Sequence, residues 1–246
     1  MRMIKGQKGL SLVEVTIMLL VLMLLTSVLA PSIWDFVHDA QWVKVKEDCE
    51  AIGISFSRLT RDVGPCLRAD PANQLCDMAN RLDVMYSDGD TPTIGLGTAV
   101  VNANITTKNW TATPGARTDS MDNQFVTNLA GYATPWDKFQ VSGTFPVGPQ
   151  FGLGWRGAYL SPPVGPDPWG SKYFVNSGFN AVASGAADGT VDGKFGEWWE
   201  RDVVCLSAGP NQTIESWFGQ YASGSPNYGA NRLGDDFIFV ISGSGR

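Results

Sequence analysis

Sixteen consecutive residues, Val15 to Ala30, carry no charge, and the apolar span from Leu10 to Ala30 covers 21 residues. That is long enough to cross a bilayer as one helix. Beyond it the hydrophobic pattern becomes periodic. Val37, Trp42, Val45, Cys49, Ile52, Phe56, Leu59 and Val63 recur mostly at alternating spacings of three and four. Asp35, Asp39, Lys44, Lys46, Glu47 and Glu50 fall largely elsewhere, so the spacing predicts one apolar stripe on a helix. Gly64-Pro65 is a stop signal. A helix from Leu10 to about Val63 would be ~80 Å long at 1.5 Å per residue. Its first half would lie in lipid, and its second half would bury the stripe against a globular domain.

Pro31 interrupts the pattern just beyond the apolar run. Inside a helix it removes one backbone hydrogen bond and crowds the preceding turn, which predicts a kink there. After residue 63 the apolar runs are short. Residues 64–150 are rich in Asn, Thr, Gly and Asp, and read as a loop-rich insertion with short strands near Asp83–Tyr86, Thr98–Ile105 and Phe139–Val141. Residues 151–246 are better marked, with strands expected over Tyr173–Asn176, Val203–Ser207 and Asp236–Ile241. Phe237-Ile238-Phe239-Val240-Ile241 is the clearest strand of all. The expected fold is therefore α+β: a long N-terminal helix, half membrane and half amphipathic, packed on a C-terminal antiparallel sheet domain with a large insertion.

The segment before the apolar run changes the picture. Residues 1–9 form a basic leader (Arg2, Lys5, Lys8) ending in Gly9, and Glu14 sits at the fifth position after that glycine. A carboxylate at the edge of a membrane segment costs ~2.5–3.5 kcal/mol on insertion scales, so it calls for a partner. A secretory signal has an apolar core of roughly 7–15 residues followed by a small-residue cleavage site. Here the glycine precedes the apolar run instead. Leader, Gly9, Glu14 and Pro31 together resemble the prepilins of type IV filaments, with Leu10 standing where phenylalanine is usual. The resemblance implies cleavage after Gly9 by a prepilin peptidase and methylation of Leu10. It also implies assembly through residues 10–63, with Glu14 offsetting the amino terminus of a neighbouring subunit and Pro31 as a point of local unwinding.

Two later phrases, Gly154-Trp155-Arg156-Gly157-Ala158-Tyr159-Leu160 and Asp167-Pro168-Trp169-Gly170-Ser171-Lys172-Tyr173, resemble the major pseudopilin of type II secretion. Asp-Pro initiates a turn, Gly170 relieves its backbone, and Trp169 plugs the turn into the core. The resemblance further implies a calcium site built from the stretch Leu206 to Asn211 and from Asp235 and Asp236. Pro210-Asn211 stands where Asp-Gly is usual, and the loop from Gln212 to Leu233 is longer than in the family. Oxygen donors and glycine-permitted turns suit calcium, which takes six to eight such ligands. A second acidic loop, Asp188 to Gly193, lacks EF-hand spacing and reads as a plain turn.

Charge narrows the classes of function. The chain has 18 basic and 24 acidic residues, and loss of the three leader cations would leave 15 against 24, a net of −9. Such an acidic surface disfavours nucleic acid. Four cysteines, Cys49, Cys66, Cys76 and Cys205, permit three pairings in an oxidising compartment. Cys66–Cys76 with Cys49–Cys205 is the favoured set, against the alternative that Cys49 and Cys205 are buried thiols. His38 is the sole histidine and reads as an exposed helix residue, and neither a nucleophile elbow nor a zinc pattern occurs, so no enzymatic role is expected. The expected role is a structural subunit of a type IV filament or type II secretion pseudopilus. It would be a single-pass inner-membrane protein with a periplasmic domain, handed by inner-membrane assembly machinery into a helical filament in the periplasm or at the cell surface. The alternatives are a minor or tip pilin with an adhesive role, and a membrane-anchored periplasmic binding domain that would need neither Glu14 nor leader cleavage.

Overall fold

A computed structural model describes residues 11–64, 67–68, 82–94, 110, 118–135, 140–142, 145–147, 154–177, 203–216 and 234–242. Gly9, Leu10, Cys66, Cys76 and the strand expected at Thr98–Ile105 lie outside the described residues.

Helix α1 runs unbroken from Leu12 to Val63, 52 residues including Pro31. Its start follows local chemistry. Ser11 Oγ accepts from Val13 N at 3.2 Å, and Glu14 Oε2 accepts from Ser11 N at 3.0 Å. This is the reciprocal Ser-x-x-Glu capping box, which satisfies amides that the first turn leaves without partners. Its end is equally local: Gly64 has φ +97°, and its amide donates to Thr60 O at 2.9 Å. A glycine just past the last turn reverses the chain at no Cβ cost.

The chain divides into two compact units, one ending at Lys44 and the other beginning at Val45. In the first, every residue from Leu12 to Leu29 is exposed. In the second, the stripe Val45, Cys49, Ile52, Phe56, Leu59 and Val63 is buried. The buried stripe is thus shorter at its amino end than the periodicity suggested, since Val37 is exposed. His38 is exposed as expected, and its Nε2 accepts from Trp42 Nε1 at 3.2 Å.

The remaining elements are β1 (Val84–Tyr86), β2 (Thr93–Ile94), β3 (Thr118–Ser120), the short α2 (Met121–Phe125), β4 (Gln140–Ser142), β5 (Phe145–Val147), β6 (Phe174–Val175), β7 (Val203–Ser207), β8 (Thr213–Ile214) and β9 (Phe237–Ser242). Five of the strands form one sheet in the order β3-β1-β6-β7-β9. β1 pairs with β6, β6 with β7 and β7 with β9, all antiparallel, but β3 runs parallel to β1. The sheet is therefore mixed rather than antiparallel. β2 and β8 pair in parallel, and β4 and β5 form a hairpin.

The strand expected at Val203–Ser207 is β7 itself, buried at all five positions in the middle of the sheet. Residues 64–150 were expected as an insertion of surface loops. They instead supply β1 and β3 to the sheet and Leu67, Leu82, Val84, Met85, Trp110, Met121, Phe125 and Tyr132 to the core. The reason is pairing. β6 needs a second antiparallel neighbour besides β7, and β1 provides it through Met85 opposite Val175 and Tyr86 opposite Phe174.

Candidate functional site

Two regions carry the expected chemistry. The first is the start of α1. Glu14 is exposed on the opening turn of α1, with an oxygen on the Ser11 amide, and this helix is long and apolar enough to cross a membrane. Among the described residues there is one candidate membrane span, near the amino terminus. Pro31 has no amide hydrogen, so the Ser27 carbonyl lacks its usual helical donor. Upstream, Thr26 Oγ1 donates to Leu22 O and Ser27 Oγ donates to Leu24 O, so both hydroxyls fold back on their own helix.

The second region is the end of the sheet where β7 leaves and β9 enters. Gly209 has φ +67°, and a side chain there would collide with the Asp235 backbone, so the two loops touch. Asp235 Oδ2 accepts from Asn211 N at 3.0 Å. Asp236, fully buried, accepts through Oδ2 from Glu215 N at 2.9 Å and Ser216 N at 2.6 Å. Two carboxylates thus latch the loop after β7 to the start of β9. Asp236 Oδ1, Asp235 Oδ1, Glu215 Oε2 and Ser216 Oγ are buried without a hydrogen-bond partner. Burial pushes the Asp236 carboxyl up to about 6, opposed by the bonds from Ser216 and Glu215 and aided by the Glu215 charge.

The four residues expected to ligate calcium are therefore brought together unevenly. Asp235 and Asp236 each keep an open oxygen. Asn211 commits its side-chain oxygen to Thr213 N at 2.7 Å, and Leu206 is a central-strand residue paired with both Phe174 and Ile238. Glu215 and Ser216 were not foreseen. They follow β8, and their amides are held by Asp236 Oδ2, a contact from about 20 residues away. Among the described residues, no group of three or more His, Cys, Asp or Glu side chains converges closely enough to hold a metal ion.

The two phrases from the C-terminal third are both structural straps. Asp167, 3 % exposed, accepts through Oδ1 from Trp169 N and Ser171 N, and through Oδ2 from Ser207 Oγ at 2.7 Å. It ties the Asp-Pro-Trp-Gly turn to β7. Burial pushes its carboxyl up, while the bonds from Ser207, Ser171, Trp169 and Gly170 pull it back. The Gly-Trp-Arg-Gly phrase is tied to α1. Gly154 N donates to Asp62 O at 2.7 Å, Tyr159 OH donates to Asp62 Oδ2 at 3.2 Å, and Ser55 Oγ donates to Tyr159 O at 3.0 Å. These contacts explain why the polar residues Ser55 and Asp62 are buried inside the apolar stripe. A buried polar group is tolerated once its bonds are made.

Cys49 on α1 and Cys205 on β7 face each other, both fully buried, with sulfurs 2.9 Å apart. Burial pushes the Cys49 thiol well above its ordinary value, reinforced by Cys205 and by the charges of Asp48 and Asp167.

No protein-family model, no curated protein and no solved structure matches this chain.

Proposed function

We propose that the chain is a structural subunit of a type IV filament-family polymer, either a type II secretion pseudopilin or a pilus subunit. It is cleaved after Gly9, methylated at Leu10 and assembled through α1. One observation carries this reading: the apolar first half of α1, exposed at every position from Leu12 to Leu29, opens on a turn that presents a single carboxylate, Glu14. Lipid would cover the helix before assembly, and neighbouring helices would cover it afterwards. In the lone subunit Glu14 holds the Ser11 amide. In a polymer the charged amine of a neighbouring Leu10 is the stronger partner, because it adds full Coulomb attraction to a hydrogen bond that the neutral Ser11 amide supplies without a charge of its own. Exchange of that single partner sets the axial register among otherwise greasy helices, since Coulomb attraction grows steeply as the dielectric falls.

Mass spectrometry of the membrane-extracted protein tests the processing step. The expected mature species begins at Leu10 with one added methyl group on its amine, and the full leader is absent. A chain that retains residues 1–9, or begins anywhere else, contradicts the reading and favours a plain anchored domain. Imaging cells for long surface fibres then separates a pilus from a pseudopilus.

Calcium is part of the same proposal. Asp235 and Asp236 would contribute their open oxygens, and Glu215 and Ser216 lie at the same loop junction. When bound, the cation would supply positive charge beside the buried open oxygens of Asp235 and Asp236. Without it, the raised Asp236 value has a definite sign. The ionised form is the penalised one, so the contribution to stability is full below the unfolded value of about 4 and is lost as pH rises through about 6. A rise from about 4 to about 6 corresponds to a loss of about 2–3 kcal/mol. The expected result is a melting temperature several degrees lower at pH 7.5 than at pH 5 in chelator, restored at pH 7.5 by millimolar calcium. Asp236→Asn should flatten the pH dependence and abolish the calcium response. A melting curve indifferent to calcium at pH 7.5 removes the cation from the proposal.

A further inference from the structure

The sheet ends at β9, whose outer edge pairs with no other strand among the described residues. Beside it lies α1, so close that a side chain on Gly53 would press on Phe239 and Ile241 at 3.2 and 3.4 Å. Further out, helix and strand diverge into a groove of about 570 Å³. Ile54 and Val240, 54 % and 45 % exposed, form its apolar lining, with Arg58 and Arg61 along the helix side. Arg58 makes no ion pair among the described residues, and Arg61 reaches Asp62 only at 3.4 Å from its own largely exposed side chain. Glu50, at one end, is drawn to Lys46 at 3.9 Å. This is a cationic, half-apolar groove on a chain of net charge −6.

The complementary chemistry lies elsewhere on the same molecule. After β1 the chain turns through Asp88, Gly89 and Asp90, all exposed, and continues through Thr91 into the exposed pair Thr93-Ile94 of β2. Asp122 stands nearby, its carboxyl pushed up by burial and then by the Asp88 charge. Lys172 is the cation on that side, over the Tyr86 ring and bonded to Thr91 Oγ1. β1 and β9 are three strand positions apart in the sheet, about 14 Å at the usual spacing. The acidic turn and the groove are thus different faces of the subunit.

We propose that the groove between α1 and β9 receives the Asp88–Ile94 segment of a second copy of this chain. Asp88 and Asp90 meet Arg58 and Arg61, and Ile94 covers Ile54 and Val240. Donor and acceptor surfaces differ, so the contact is head to tail and propagates into an open helical array instead of closing a dimer. The inference rests on the filament reading and names the contact between its globular domains.

Charge reversal in the full-length, membrane-assembled chain tests it. Arg58→Glu and Asp90→Lys, made separately, are each expected to lower filament yield roughly tenfold, as unlike partners become like ones at a contact repeated in every subunit. The chain carrying both changes restores opposite charges and should recover to within about twofold of wild type. Both positions are exposed, and unchanged thermal melting of each variant establishes that folding is not the cause. If the single reversals assemble at wild-type yield, or the combined chain stays as poor as either, the groove contact is overturned while the filament reading stands. If the wild-type chain makes no polymer, the filament reading itself falls and takes the contact with it.

Discussion

Glu14→Ala subunits are expected to insert in the membrane normally and to yield roughly a hundredth of the wild-type filament. Removing one member of an ion pair held in low dielectric costs about 3–5 kcal/mol, because the other charge is left unpaired. At about 1.4 kcal/mol per tenfold, that is a loss of at least about two orders of magnitude. The structure adds a complication that the substitution alone does not resolve. Glu14 also caps its own helix through the Ser11 amide at 3.0 Å, and losing a cap costs about 1 kcal/mol. Glu14→Gln separates the two roles, since an amide oxygen still accepts from Ser11 N but carries no charge. Sedimentation of sheared filaments should find Glu14→Gln nearly as defective as Glu14→Ala. Wild-type yield from the glutamine variant would assign Glu14 to capping and remove it from assembly.

The second large effect concerns Cys49 and Cys205. Their sulfurs lie 2.9 Å apart where α1 meets β7, separated by 156 positions in sequence. A bond across so long a loop restricts the unfolded chain strongly, by about 4–5 kcal/mol in the chain-entropy account, though measured gains are often smaller. For a domain of this size each kcal/mol moves the melting temperature by about 2–4 °C. Protein folded under oxidising conditions is therefore expected to melt about 10 °C above the Cys49→Ser variant. Timing matters as well. Burial keeps the Cys49 thiol protonated, and the thiolate is the reactive form, so oxidation should occur during folding and be slow afterwards. Peptide mapping without reduction should find Cys49 joined to Cys205. Free thiols at both positions in protein taken from an oxidising compartment would leave the pair as packed core residues.

The two ends of α1 show how much of the fold is local. Ser11 and Glu14 stand three apart as a capping box, Gly64 supplies the reversal, and the three-four spacing from Val45 onward marks the face that is buried. β1, β6, β7 and β9 were each legible from short β-branched or aromatic runs between turn residues. Other features needed the folded chain. Asp62 looks like one more solvated charge on a helix, yet it is buried because Gly154 and Tyr159 come back to it from about 95 residues away. Glu215 and Ser216 join the acidic junction only through Asp236. The parallel pairing of β3 with β1 also escaped the pattern, since residue alternation says which face a strand buries and not which strand it will lie beside.

By itself, the sequence determined the membrane-length helix, its caps, its buried stripe and the placement of one carboxylate at its start. These depend on spacing along the chain, where 3.6 residues per turn and the cost of an unpaired amide act within a few residues. Only the tertiary structure decided that residues 64–150 supply the edge strand β3 and its neighbour β1 to the sheet. The same holds for the meeting of Cys49 with Cys205, and for the edge of β9 beside Arg58 and Arg61, which no other strand pairs among the described residues. Those depend on which distant strands satisfy one another's backbone groups, and that choice is made by the whole core at once.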